Sequence, residues 1–326
     1  MAKRGNLTSM DDVLEAICSE KGVFLRWEAE ELGYHDTAIA HLVRDGSWVR
    51  VRRGAYTTGP RWTSLDAAGR YALFTRATVR QAKTSVVLSH ISALPEYGAP
   101  LWGLDLTRAH LTRLDGRTGR KEAGVQQHQG LLLPDDVTER NGVGVVSATR
   151  AALEVTTVAE TEPSLCVIDN LLNRGLTTPK QLAQRYVAMN SWPNTLKTDL
   201  VLRLADGRAQ SVGETRARFL CWLFGLPAPI PQYPIVDEHG NVIAYVDLAW
   251  PKLGAFLEFD GKVKYLRPFR EGETAAEVVI REKRREELIC ELTDWRCIRL
   301  IWSDFDRAQF TATRIRNILG TGASAA

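Results

Sequence analysis

The sequence predicts a multidomain chain of mixed α+β and α/β class. Its 326 residues exceed the usual size of one domain and suggest two or three. Residues 1–60 read as three short helices followed by a basic β-hairpin, and the C-terminal third reads as helix, strand, strand, helix, strand, helix. These observations predict domains at 1–60, 61–204 and 205–320, with 321–326 as a disordered tail.

The first domain is read from its periodicity. "DDVLEAICSEKG" places Val13, Leu14 and Ile17 at helical spacing, "RWEAEELG" is a second short helix, and "HDTAIAHLVRDG" is a third. Asp36 is the expected N-cap of that third helix, with Ile39, Leu42 and Val43 facing inward. "SWVRVRRGAYTTG" then alternates Val49 and Val51 with Arg50 and Arg52, a strand pattern with a basic outer face. This order is that of a winged helix-turn-helix, whose third helix enters a DNA groove while the wing meets phosphates. Arg44, Trp48, Arg50, Arg52 and Arg53 are therefore candidate DNA contacts. A small helical adaptor with a solvated basic hairpin is the alternative.

Residues 61–204 form an α/β middle region with fewer signals. "SLDAAGRYALFTRATVRQA" reads as a helix, "SVVLSHISALPEYGAPLWG" as a strand feeding a helix, and "TRAHLTRL" and "GVQQHQGLLLP" as short strands. "ATRAALEVTTVAE" and "PSLCVIDNLLNRG" read as helices. His90 and His128 are isolated in this reading and are assigned structural or surface roles.

The C-terminal region carries the chemistry. "VIAYVDLAW" and "AFLEFD" are strands joined by the turn "PKLG", and a symmetric turn sets Asp247 opposite Glu258. Glu258 and Asp260 share one face. Like charges facing across a sheet destabilise it unless neutralised, and a hard divalent cation such as Mg²⁺ or Mn²⁺ does that with carboxylate oxygens. Lys262 and Lys264 follow closely enough to bring an ammonium group. Acids on a hairpin with a nearby lysine suit metal-dependent phosphodiester cleavage, in which the metal activates water. Solvated acids on the open face of an edge hairpin are the alternative. Upstream, Ser211 and Glu214 match a capping box, so Glu214 either closes a helix start or adds a metal ligand. Downstream, "REKRREE" is a charged helix in which Lys283 and Arg285 either grip DNA backbone or stay solvated, while Leu288, Ile289 and Leu292 anchor its second half. "WRCIRLIW" is apolar on both faces and is read as a central strand, with "FTATRIRNIL" closing the domain as a helix.

These residues carry a resemblance. The helix with Glu214, "VDLAWP", "EFDG…KY", "EKRREEL" and "WRCIRLIW" resemble PD-(D/E)XK nuclease-fold proteins of the very-short-patch repair branch. "KGVFLRWEAEELGYHDTAIAHLVRDGSWVRVRRGAYTTG", continued by "VVLSHISAL", resembles AbiEi-type antitoxin winged-helix domains. The first resemblance implies a restriction-endonuclease-like mixed sheet flanked by helices, Asp247 and Glu258 as metal ligands beside the Phe259 carbonyl, and a role in phage defence or restriction. Two positions depart from it: Val246 replaces a proline, and Asp260 replaces the usual lysine, leaving Lys264 to supply the ammonium. The second resemblance implies a DNA-binding module.

Two functions follow as expectations. One is a metal-dependent DNA endonuclease using Asp247, Glu258, Asp260 and Lys264, with Glu214 assisting. The other is a non-enzymatic DNA-binding antitoxin or repressor with a degenerate nuclease fold. DNA is the expected partner; a homodimer, and a cognate toxin on the second reading, stay open. With no run of 18 apolar residues and no apolar segment in "MAKRGNLTSMDDV", no membrane span or export signal is predicted, and the expected location is the cytoplasm. Five unpatterned cysteines fit reduced thiols rather than a disulfide framework or zinc site. The net charge of +3 leaves local basic clusters to make the nucleic-acid case.

Overall fold

The structure, a computed structural model, describes residues 10–117, 119, 121, 122, 124–189, 192–261 and 274–320. Lys262, Lys264 and the expected tail at 321–326 lie outside the described residues. The chain divides into two units, Met1–Val167 with Leu176–Val201, and Ile168–Gly175 with Leu202–Ala326. No helix among the described residues is long and apolar enough to cross a membrane.

The first unit begins with α1 (Met10–Lys21), β1 (Phe24–Leu25), α2 (Arg26–Glu31), α3 (Asp36–Arg44), β2 (Trp48–Arg52) and β3 (Ala55–Thr58). The three strands form an antiparallel sheet in the order β1-β3-β2. Two-residue β1 had no legible sequence signal. Gly22 ends α1 at φ +83°, a left-handed conformation that glycine adopts without a Cβ penalty. The N-cap of α3 is His35 rather than Asp36; Asp36 is the first helical residue and pairs with Arg26. The helices and sheet close over Leu14, Cys18, Phe24, Ala29, Ile39, Trp48 and Tyr56. The Phe24 and Trp48 rings meet edge-to-face at 4.7 Å, a favoured aromatic geometry.

The unit continues through α4 (Gly59–Ser64), α5 (Ala67–Arg80), β4 (Val86–Leu88), β5 (Ala109–Arg113), β6 (Lys121–Glu122), β7 (Val125–His128), β8 (Val137–Arg140), β9 (Val143–Val146), α6 (Ala148–Thr156), α7 (Thr161–Asn173), α8 (Pro179–Val187) and α9 (Leu196–Leu204). Helices α7 and α9 each run across a boundary between the units. The strands form a six-stranded mixed sheet in the order β6-β7-β5-β4-β9-β8. The expected helix after β4 is a 3-10 helix, His90–Tyr97, with Pro95 inside it. Proline lacks the amide an α-helix needs at that point. Asn141 and Gly142, at φ +49° and +75°, turn the β8–β9 hairpin. Arg80 reaches back from α5 to Glu28 at 2.6 Å and ties the N-terminal helices to this region.

The second unit holds α10 (Val212–Leu223), β10 (Ile230–Val236), β11 (Val242–Trp250), β12 (Ala255–Asp260), α11 (Ala275–Thr293), β13 (Arg296–Ile301) and α12 (Ala308–Ile318). The sheet order is β10-β11-β12-β13, antiparallel except for the parallel β12–β13 pair. Strand β10 adds to the element order expected from sequence. Residues Pro251–Leu253 and Gly254 at φ +57° make the β11–β12 turn, and Leu248 pairs with Leu257. On one side Leu248, Trp250, Leu257 and Phe259 share a core with Leu220 and Ile315; a second core joins Ala249 and Phe256 to Ile289. A Cβ on Gly213 would sit 2.1 Å from the Phe259 ring, so α10 packs this closely only with glycine there.

Two expectations are corrected in this unit. β13 is an edge strand, with Ile298 and Leu300 buried and Arg299 and Ile301 exposed. Its apolar run reflects one buried face plus an exposed isoleucine. In α11, Ile289 alone of the three expected anchors is buried, whereas Leu288 and Leu292 are 48% and 47% exposed.

Candidate functional site

The candidate nucleic-acid surface divides by burial. Arg44, Arg50 and Arg53 are exposed and Arg52 is half-buried. Trp48 is 5% exposed and packs in the core, so its expected surface position is corrected. Phe24, Tyr34 and Tyr56 surround its ring, while Arg44, Arg50 and Arg53 stay exposed. The sequence reading missed the outer face of α3, where Thr37, Ala40 and His41 are exposed beside Arg44. The signal was available: these positions are the helical complement of Ile39, Leu42 and Val43. His41 lies 3.1 Å from Asp45, whose carboxyl is held below its ordinary range chiefly by hydrogen bonding from the Ser47 amide.

The acidic residues of the second unit each have protein partners. Glu214 is 4% exposed; its Oε2 accepts from the Gln210 amide and Gln232 Nε2, both at 2.9 Å, and its Oε1 accepts from the Ser211 hydroxyl at 2.8 Å. Ser211 in turn accepts from the Glu214 amide and so caps α10, while the Glu214 carboxylate takes the Gln210 amide rather than the Ser211 amide of a full capping box. Burial raises the Glu214 carboxyl, and the neighbouring charge of Asp247 raises it further, against the three hydrogen bonds. Asp247 stands one step beyond the Leu248–Leu257 pair, and its Oδ2 accepts the Phe259 amide at 2.8 Å. Glu258 lies 3.3 Å from Arg285, which also donates to the Tyr245 carbonyl. Asp260 lies 4.0 Å from Arg299, and Lys283 lies 3.9 Å from Glu287.

Among the described residues no group of three or more His, Cys, Asp or Glu side chains is arranged to hold a metal ion. A divalent cation between Asp247 and Glu258 would share their carboxylates with the Phe259 amide and the Arg285 guanidinium.

Residues 11–58 match the family model "Transcriptional regulator, AbiEi antitoxin". That span runs from α1 to the end of β3 and contains every arginine of the basic surface. The N-terminal module is thus similar to transcriptional regulators of that antitoxin type. Two uncharacterized proteins of Mycobacterium tuberculosis, MT2308 of strain CDC 1551 / Oshkosh and Rv2248 of strain H37Rv, are each 25% identical to this chain over 259 residues. Those residues are 75% of this chain and 90% of either relative.

A third cluster lies in the first unit, beyond the span that the antitoxin model matches. His90 and His128, isolated in the sequence reading, are stacked with ring centroids 3.6 Å apart at 17°. His110 Nδ1 lies 3.0 Å from His128 Nε2. Burial is the first cause that lowers all three imidazoles: His90 falls well below its ordinary value, His110 to about 4 and His128 to about 2. His90 sits at φ +51°, rare for a residue with a side chain, and its amide donates to Glu154 Oε2 at 2.9 Å. Glu154 also accepts from Arg150 at 2.6 Å, and Arg150, 1% exposed, contacts Asp136 at 2.7 Å and lies over the Trp192 ring at 4.7 Å. These residues come from separate elements with no shared local spacing, which is why sequence reading kept them apart.

Proposed function

We propose that this chain is a DNA-binding transcriptional regulator of the antitoxin type. The observation that carries the reading is the match of residues 11–58 to that regulator family over the same span as α1–β3. The order of three helices and an antiparallel hairpin supports a winged helix-turn-helix. In this reading Thr37, Ala40, His41 and Arg44 of α3 meet base edges, while Arg50, Arg52 and Arg53 meet phosphates. Such work belongs in the cytoplasm, and a cognate toxin is the further partner the reading implies. Footprinting on DNA upstream of the chain's own gene tests it. The expected result is a protected site, and two half-sites about one helical turn apart would mark a homodimer. Absence of protection at low salt would contradict the reading.

A second reading, a metal-dependent endonuclease, is favoured by the register that brings Asp247 beside Glu258 on a mixed sheet. The protein donors already on those carboxylates weigh against it. Plasmid incubated with the protein and Mg²⁺ or Mn²⁺ decides: the regulator reading expects intact supercoiled DNA. Cleavage lost in Asp247→Ala and Glu258→Ala would establish the nuclease instead.

A further inference from the structure

We propose that the first unit carries a binding site for an uncharged, planar, hydrogen-bonding small molecule of nucleoside size, in the cavity beside the stacked histidines. The cavity holds about 550 Å³, within the range of small-molecule sites. His90, His128, Thr112, Gln129, Arg150 and Trp192 are among the residues that line it.

Its polar groups define the ligand. Thr112 is 1% exposed, and its hydroxyl finds no hydrogen-bond partner among the described residues. A buried hydroxyl left unpaired destabilises the fold, and a ligand that bonds to it removes that cost. Arg150 and Glu154, the basic and acidic residues of the lining, pair with one another at 2.6 Å. Asp136 joins Arg150 to Arg185, each at 2.7 Å, so two arginines face two carboxylates and no unbalanced charge recruits an ion. Burial keeps the imidazoles neutral, and with His128 Nε2 engaged by His110 and His90 Nδ1 by Ser89, each ring keeps one nitrogen for a ligand. The His90 and His128 rings stack on one another and Arg150 lies over the Trp192 ring, so a planar ligand would extend these stacks on their remaining faces. Hydrogen-bonding edges next to flat neutral faces are what a nucleobase matches and an aliphatic metabolite or phosphate does not.

Calorimetry on the full chain tests the site, with adenosine, guanosine, cytidine and uridine as probes, each to about 5 mM, and with inorganic phosphate and Zn²⁺ titrated separately. At least one nucleoside is expected to bind saturably. Thr112→Val should weaken it by about tenfold or more, and Thr112→Ser, which keeps the hydroxyl, should restore it. If Thr112→Val does not fold, Gln129→Ala serves in its place and is expected to weaken the same nucleoside. Binding of phosphate or Zn²⁺ alone, no binding of any nucleoside, or full affinity in the variant tested would overturn the proposal. A DNA-binding defect would leave these outcomes unchanged, because the probes report on the cavity alone.

Discussion

Replacing Trp48 with alanine is expected to lower the unfolding free energy by about 3–5 kcal/mol, the usual range for deleting a large buried aromatic side chain. The ring is 5% exposed and lies 4.7 Å from Phe24, 4.9 Å from Tyr34 and 6.1 Å from Tyr56. Removing it leaves a void among groups held by the helices and the sheet, which relax only partly. Against a typical total stability of about 5–15 kcal/mol, such a loss unfolds a measurable fraction of molecules. Trp48→Phe retains an aromatic body and should lose less. Urea denaturation followed by circular dichroism measures both. A change below about 1 kcal/mol for the alanine variant would mean that the ring is not a core residue, and the DNA-contact assignment of Trp48 would return. Arg50→Ala, at an exposed position on β2, is the control and should shift stability by no more than about 0.5 kcal/mol.

Acidification from pH 7 to pH 5 is the second large effect expected. His110 titrates near 6.5 in the unfolded chain but at about 4 in the folded one, because burial disfavours its charged form. Between those values the unfolded state takes up a proton and the folded state does not. Stability is therefore complete above pH 6.5 and is lost as pH falls toward 4, by about 1.4 kcal/mol per pH unit for one imidazole. His128, lowered to about 2, and His90, lowered further below the ordinary value, act in the same direction across the same interval. Glu154 opposes the shift at His110 and His128, while Arg150 deepens it at His90. Chemical denaturation at half-unit steps of pH should show a steep fall below 6.5, made shallower by His110→Gln. A flat profile from pH 7 to 5 would show that these rings do not stay neutral in the folded chain.

Elements with strong local patterns were legible in the sequence. Helices α1, α3, α5, α6 and α12 announce themselves by apolar spacing, and the β11–β12 hairpin by alternation around "PKLG". Strand β10 was hidden by Pro231 and Pro234, which are tolerated because it is an edge strand. The β8–β9 hairpin was signalled by "NG" at 141–142, a cue left unread. Period-two alternation places Trp48 on the arginine face, yet aromatic packing with Phe24 and Tyr56 draws its ring inward. The acids were correctly located on their strands, but their partners were not legible. Gln232 at Glu214 and Arg285 at Glu258 are contacts made by tertiary structure across 18 and 27 residues of chain. The histidine stack has the same origin, since it joins a 3-10 helix to two strands of the six-stranded sheet.

The central claim is that residues 10–58 dock the chain on DNA. Its most direct test is the affinity for a fluorescent duplex of the upstream sequence, followed by anisotropy as salt rises, for wild type, Arg50→Ala, and Arg44→Ala with Arg50→Ala and Arg53→Ala combined. The expected logarithmic salt slope falls by about 0.9 for each arginine removed from a phosphate, with folding intact. Unchanged affinity and slope in the triple variant would contradict it.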